Sequence, residues 1–174
     1  MVEKGYQPPE GYVITHPNRE KAASKATKAV VVLLLLVSAG VMTVITVGGW
    51  DALEGAKAIQ ISFIVLYIVF AVMIARWNRG LLPVASALSI ILLIFAAVSG
   101  GEWFDRDKPG FADPTLDPSI LGLLTLILVP VQLLLVVFAM RGFQQQWNVE
   151  VEVPADEAGR YGGGEAGPGQ VQPA

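Results

Sequence analysis

The sequence predicts an all-α membrane protein with four transmembrane helices, arranged as two hairpins between disordered N- and C-terminal tails. Of its 174 residues, 53% are hydrophobic, and the mean hydropathy is +0.56. The apolar residues are concentrated in four blocks, each close to the ~20 residues that a helix needs to cross a bilayer. Short polar segments between the blocks carry the tryptophan and arginine residues that are typical of membrane interfaces.

The first tail, residues 1–17, is rich in proline and glycine, so we expect it to be flexible. The predicted transmembrane domain covers residues 18–148, with Asn18 as the N-cap of its first helix. Three lysines follow at a spacing that places them on one helix face: Lys21, Lys25 and Lys28. This basic face either determines orientation only or also contacts anionic lipid headgroups.

The four predicted spans cover about residues 29–47, 58–75, 81–99 and 118–140. Gly40 in the first span, and Ala85 and Ala87 in the third, are small residues that allow helices to approach closely. We therefore expect spans one and three to form the central helix pair. The fourth span contains Pro130, which removes a backbone hydrogen bond and should kink the helix beside Gln132.

The connections between the spans differ in charge. Arg76 and Arg79 lie in the turn between spans two and three, which must sit at one membrane face. The acidic outer loop, residues 100–117, carries five acidic residues and two basic ones. Its last residue, Asp117, is the predicted N-cap of span four, with Pro118 at the first helical position.

Lysine and arginine counts predict the topology of the chain. Of its 12 basic residues, nine lie in the two tails and the central turn, and the remaining three lie on the other side. The positive-inside rule then places both termini in the cytoplasm and the acidic loop outside. Since four-span chains with such tails recur among bacterial membrane proteins, we expect a multi-pass protein of the bacterial plasma membrane.

The second tail, residues 149–174, begins with a short extended segment and is otherwise expected to be disordered. Valine and glutamate alternate strictly over residues 149–153, which is the pattern of a β-strand. A lone strand needs an edge to join. The candidates are residues 12–15 of the first tail and the sheet of a cytoplasmic partner, and a solvated tail is the remaining alternative.

The sequence contains few residues that could act in catalysis, metal binding or proton transfer across the membrane. Zero cysteines exclude disulfides and thiolate catalysis. The spans carry no charged residue in their middle, which argues against a proton pump or an ion exchanger. The only histidine, His16, lies in the first tail, and residues 105–116 match a calcium-binding loop incompletely. We therefore predict no catalytic site, no cofactor and no metal.

These observations predict a non-enzymatic accessory or assembly subunit that packs against partners in a membrane complex. Its expected partners are the lipid bilayer and either other subunits or further copies of itself, and a net charge of −3 gives no reason to expect nucleic acid. The alternative is a small transporter or channel-like homo-oligomer, which the predicted kink at Pro130 and Gln132 motivates. Similar Gly-Gly and Trp motifs after spans one and three raise the further possibility that the hairpins are a duplication.

Overall fold

A computed structural model describes residues 8–106 and 112–161, without the side chain of Tyr161. Four helices are long and apolar enough to cross a membrane, which confirms the predicted fold class. Within the tails predicted to be flexible or disordered, Tyr12–Thr15 form a strand and Ala158–Tyr161 form a 3-10 helix. The parts of this prediction that concern residues 1–7 and 162–174 lie outside the described residues. In chain order the strands and α-helices of the described residues are β1 (Tyr12–Thr15), α1 (Pro17–Glu20), α2 (Ala22–Gly48), α3 (Lys57–Ala75), α4 (Leu81–Glu102), α5 (Pro118–Gln144) and β2 (Val151–Pro154).

The first helix does not begin as predicted. Lys21 is extended, with φ −60° and ψ 131°, and it separates the short helix α1 from α2. Asn18 lies inside α1, and its side-chain amide donates to the carbonyl of Gln146 at 3.0 Å. The prediction of Asn18 as an N-cap is therefore wrong. Because the helix is interrupted at Lys21, the three lysines do not share one continuous helix face.

The central helices are α2 and α5, since α2 packs against α3 and α5, while α4 packs mainly against α5. The predicted central pair of spans one and three is therefore wrong. Of the three residues predicted to pack, Ala85 is buried, but Gly40 and Ala87 are exposed. All four spans are apolar on every side, so the sequence pattern does not mark the inner faces. Grouping into two hairpins stays a prediction, because α5 packs against both α2 and α4.

The start of α5 agrees with the sequence. Asp117 caps the helix by accepting from the backbone N–H of Ser119 at 2.8 Å and from the Ser119 hydroxyl, and Pro118 is the first helical residue. The hydroxyl first, and then the N–H, hold the pKa of Asp117 below its usual value. Immediately before it, Leu116 donates to the carbonyl of Gly48 at 2.9 Å, which joins the loop to the end of α2.

The two tails pair at one end of the bundle, hereafter the tail end. β1 and β2 form an antiparallel ladder in which Val13 faces Val153 and Thr15 faces Val151. Arg19 reinforces it by donating from Nε to the carbonyl of Trp147 at 3.0 Å. Of the alternatives that the sequence left open, pairing between the tails is thus confirmed.

The central turn is held by aromatic contacts at the same end. Trp77, two residues after the end of α3, lies in the left-handed region with φ 66°, where a residue with a Cβ costs roughly 1–2 kcal/mol. Its side chain offsets this cost. The ammonium of Lys28 lies 3.7 Å from the Trp77 ring centroid, and Trp147 packs edge-on against it at 5.3 Å. The turn is therefore attached to α2 and to the segment after α5.

Val151→Pro should release the tail ladder, because proline supplies no backbone donor and strand pairs depend on ladder bonds. We expect the amides of Val13 and Val153 to lose their protection in hydrogen exchange, while the helices keep theirs. Val151→Ala, which retains the N–H, is the matched control and should leave protection within about threefold, a change below ~1 kcal/mol. Fast exchange of both amides in the unsubstituted protein would contradict the pairing.

Candidate functional site

A polar network lies at the centre of the bundle. Each spanning helix contributes one side chain near its middle, and each of these four residues is 0% exposed. No two of them share a helix, so the network links the complete bundle. Its members are Ser38 of α2, Tyr67 of α3, Ser89 of α4 and Gln132 of α5.

Gln132 is the hub of this network. Its Nε2 donates to Ser38 Oγ at 2.9 Å, and its Oε1 accepts from the Tyr67 hydroxyl at 2.9 Å. The Tyr67 hydroxyl also lies 3.3 Å from Ser89 Oγ. The two serines reach backbone carbonyls one turn earlier on their own helices, each at 2.7 Å. In the described part of the chain, no buried side-chain nitrogen or oxygen lacks a partner.

The network has a structural effect rather than an evident chemical one. Its members are amide and hydroxyl groups that bind each other, and hydrocarbon offers them no alternative partner. Each bond requires two helices to keep one relative depth and rotation. The kink predicted at Pro130, which lies inside α5, stays a prediction, whereas Gln132 has a defined position as the hub.

Two of the residues predicted to set topology also bind the structure at the tail end. Lys28 donates to the carbonyl of Ala75 at 3.2 Å, in addition to its contact with the Trp77 ring. Arg79 donates from Nε to the carbonyl of Phe143 at 2.7 Å. The other three residues of that prediction are exposed: Lys21, Lys25 and Arg76. Of these, Lys25 forms an ion pair with Glu20 at 2.7 Å.

At the opposite end a cleft opens between α3 and α4. These helices are joined by a short turn at the tail end but make few contacts with each other. A cavity of about 420 Å³ lies there, with an apolar wall formed by Met42, Phe63, Leu92, Phe95, Ala96 and Leu128. Polar groups also line the cavity: Gln60, Ser99, Glu102 and Arg106. A smaller cavity of about 260 Å³ shares Phe63 and continues along the same seam to Leu88.

Sequence reasoning missed most of the network and all of the cleft. In the sequence, Gln132 stands out only as a neighbour of Pro130. The available signal is at least one polar residue near the middle of each span. That pattern is weak by itself, because serine and tyrosine are common in transmembrane helices and a lone hydroxyl can bond to its own helix.

Ser38→Ala should destabilise the protein, because it leaves a donor of the buried Gln132 without a partner. We expect a loss of about 1 kcal/mol in unfolding free energy, between the ~0.6 average for hydrogen bonds in a membrane and the larger cost of an unpaired buried group. Denaturant-induced unfolding of the full chain in detergent micelles measures it.

The matched control is Ser62→Ala. Ser62 also donates to its own helix, at 2.8 Å to the carbonyl of Ala58, but it is exposed and takes no part in the network. Its removal should change stability by less than ~0.5 kcal/mol. Adding Gln132→Leu to Ser38→Ala should recover part of the loss, because the unpaired amide is then gone. Equal effects of the two serine substitutions would show that the network contributes nothing.

Comparison with known proteins gives no relative. The chain matches no protein-family model, no curated protein and no solved structure. No residue role is therefore transferred from another protein, and the roles assigned below rest on contacts within this chain.

Proposed function

We propose that the protein is a non-enzymatic accessory or assembly subunit of a membrane complex, which packs α2 against a transmembrane helix of another subunit. The observation that carries this proposal is the position of Gly40. It lies in the interior of α2 and is exposed, and apart from its chain neighbours and the nearby backbone of its own helix, no described atom lies within 4 Å of the place where a Cβ would stand.

An exposed glycine has no packing role inside this chain. Glycine inside a helix destabilises the folded state by roughly 0.5–1 kcal/mol relative to alanine. The fold of the single chain therefore gains no stability from Gly40. Thr43, one turn later on the same exposed face, bonds its hydroxyl back to Ala39 at 2.7 Å and so presents mainly its methyl group. Such a small, apolar surface allows the backbone of a second helix to approach closely.

The network weakens the alternative of a transporter or channel. That alternative rested on Gln132 as a polar group beside a kink. Gln132 instead binds Ser38 and Tyr67 across the bundle axis, so a solute path through one chain would have to break these bonds. A path between several copies of the chain would leave them intact, and it remains the form of the alternative that fits this bundle.

We further propose that both termini are cytoplasmic and that the membrane is the bacterial plasma membrane. The ladder between β1 and β2 holds the two tails at the same end. Nine of the 12 basic residues belong to the tails and the central turn. Positive charge is retained on the cytoplasmic side, which supports this orientation.

Orientation can be tested with single cysteines, since the natural chain has none. Thr115→Cys, in the acidic loop, should react with a membrane-impermeant maleimide added to intact cells. Gly159→Cys, exposed at the tail end, should react only after permeabilisation. The reverse labelling pattern would overturn the assignment of the tails to the cytoplasm.

Gly40→Leu should disrupt the complex without unfolding the chain, because the added side chain meets open space in one copy but blocks a neighbouring helix. On blue-native gels after mild solubilisation, we expect the fraction in the larger complex to fall about tenfold, corresponding to ~1.4 kcal/mol of association energy. The unfolding free energy of the isolated chain should change by less than ~1 kcal/mol.

Gly101→Leu is the matched control, since Gly101 is also helical, exposed and without a near neighbour at its Cβ position. It should leave the complex intact. Oxidative crosslinking of Gly40→Cys then identifies the partner: a dimer of this chain indicates a second copy, and no such dimer in a larger complex indicates another protein. A wild-type chain that migrates alone after mild solubilisation would refute the proposal.

A further inference from the structure

The cleft between α3 and α4 opens toward lipid. Ile59 on one side and Phe95 and Val98 on the other are 50–70% exposed, although they belong to spanning helices. Inside, Phe63 is only 8% exposed and Leu92 only 6%. The cleft is therefore an apolar recess in the membrane-facing surface, and the surrounding hydrocarbon is available to fill it.

The depth of the cleft matches the part of a bilayer that contains acyl chains. The 22 residues of α4 extend for about 33 Å, enough to cross the ~30 Å hydrocarbon core, so its last residue, Glu102, reaches the headgroup region. From Leu88 to Glu102 the two cavities follow α4 for about 21 Å. Trp103, immediately after Glu102, is typical of the interface.

Two of the described residues that line the cleft are charged, Arg106 and Glu102. Arg106 donates to the carbonyl of Ala52 at 2.7 Å, and its guanidinium lies 4.7 Å from the Trp103 ring centroid. The Glu102 carboxylate is exposed and forms no ion pair with any residue of 8–106 or 112–161. Glu102 is the last residue of α4 and Arg106 follows four positions later, yet the two side chains do not form an ion pair with each other.

We propose that this cleft binds one zwitterionic phospholipid from the leaflet opposite the tails. One acyl chain lies between Phe63 and Leu92, the phosphate faces Arg106, and the headgroup ammonium faces Glu102. An anionic lipid without an ammonium leaves Glu102 unmatched, so the charges of the rim distinguish the two classes. The site shares no residue with the outer face of α2, and its occupancy is independent of the proposed complex.

Native mass spectrometry of the full-length chain in detergent, titrated with phosphatidylethanolamine or phosphatidylglycerol, tests the proposal. We expect one phosphatidylethanolamine per chain, bound about tenfold more tightly than phosphatidylglycerol. Ala96→Leu fills the cleft and should weaken that binding about tenfold, a difference of ~1.4 kcal/mol. Ala87→Leu makes the same change on an exposed part of α4 outside the cleft and should have no effect.

If Ala96→Leu impairs folding, Glu102→Gln provides a second test, since Glu102 is exposed and the substitution keeps the size of the side chain. The substitution should remove the preference for phosphatidylethanolamine while a lipid still binds. Equal affinity of the wild-type chain for the two lipids would overturn the proposal. So would the absence of a one-to-one complex, or unchanged binding by a folded Ala96→Leu variant.

Discussion

Hydrocarbon cannot hydrogen-bond a buried amide, and this constraint on Gln132 determines how the four helices fit together. The amide has one carbonyl oxygen and one NH2 group, and their partners come from two other helices, Tyr67 on α3 and Ser38 on α2. Tyr67 then reaches Ser89 on α4. Apolar packing alone permits helices to rotate or slide with little penalty, since lipid is as apolar as the side chains. A shift of any helix by one turn would separate these atoms, so a few neutral groups specify one arrangement of the bundle.

The tail end is held by a different principle, in which strain at one residue is balanced by contacts from distant parts of the chain. Trp77 adopts a backbone conformation that favours glycine, yet a glycine there would contact neither Lys28 nor Trp147. Those contacts join the central turn to α2 and to the segment before β2. Residues that the sequence suggests only as topology signals, such as Lys28 and Arg79, thus also act as hydrogen-bond donors to the exposed carbonyls of other helix ends.

The sequence was informative where a local rule applied and uninformative where three-dimensional partners decided. Span number, the cap at Asp117 and the extended segment that became β2 follow from hydropathy, capping and alternation, and each is present. The inner faces do not follow, since a helix that is apolar all round has no preferred side in its pattern. The small size of Gly40 predicts a place in the interior, whereas the residue lies on the exposed side of α2. The hub role of Gln132 is equally inaccessible from the sequence, because its two partners, Tyr67 and Ser38, lie 65 and 94 positions away along the chain.

The distribution of packing gives the two proposed surfaces separate positions. The network joins the four helices near the middle of the bundle, and the tail ladder joins the two tails at one end. At the other end, the cleft between α3 and α4 remains open. On α2, the buried residue Met42 lines the cleft, whereas Gly40 lies on the exposed face of the same helix. A lipid in the cleft would therefore contact the chain's own interior, and a partner helix on α2 would contact only its outer surface. Because the hydrogen-bonded network lies between the open seam and the tail end, a lipid can fill the cleft without contacting the tails or the partner surface.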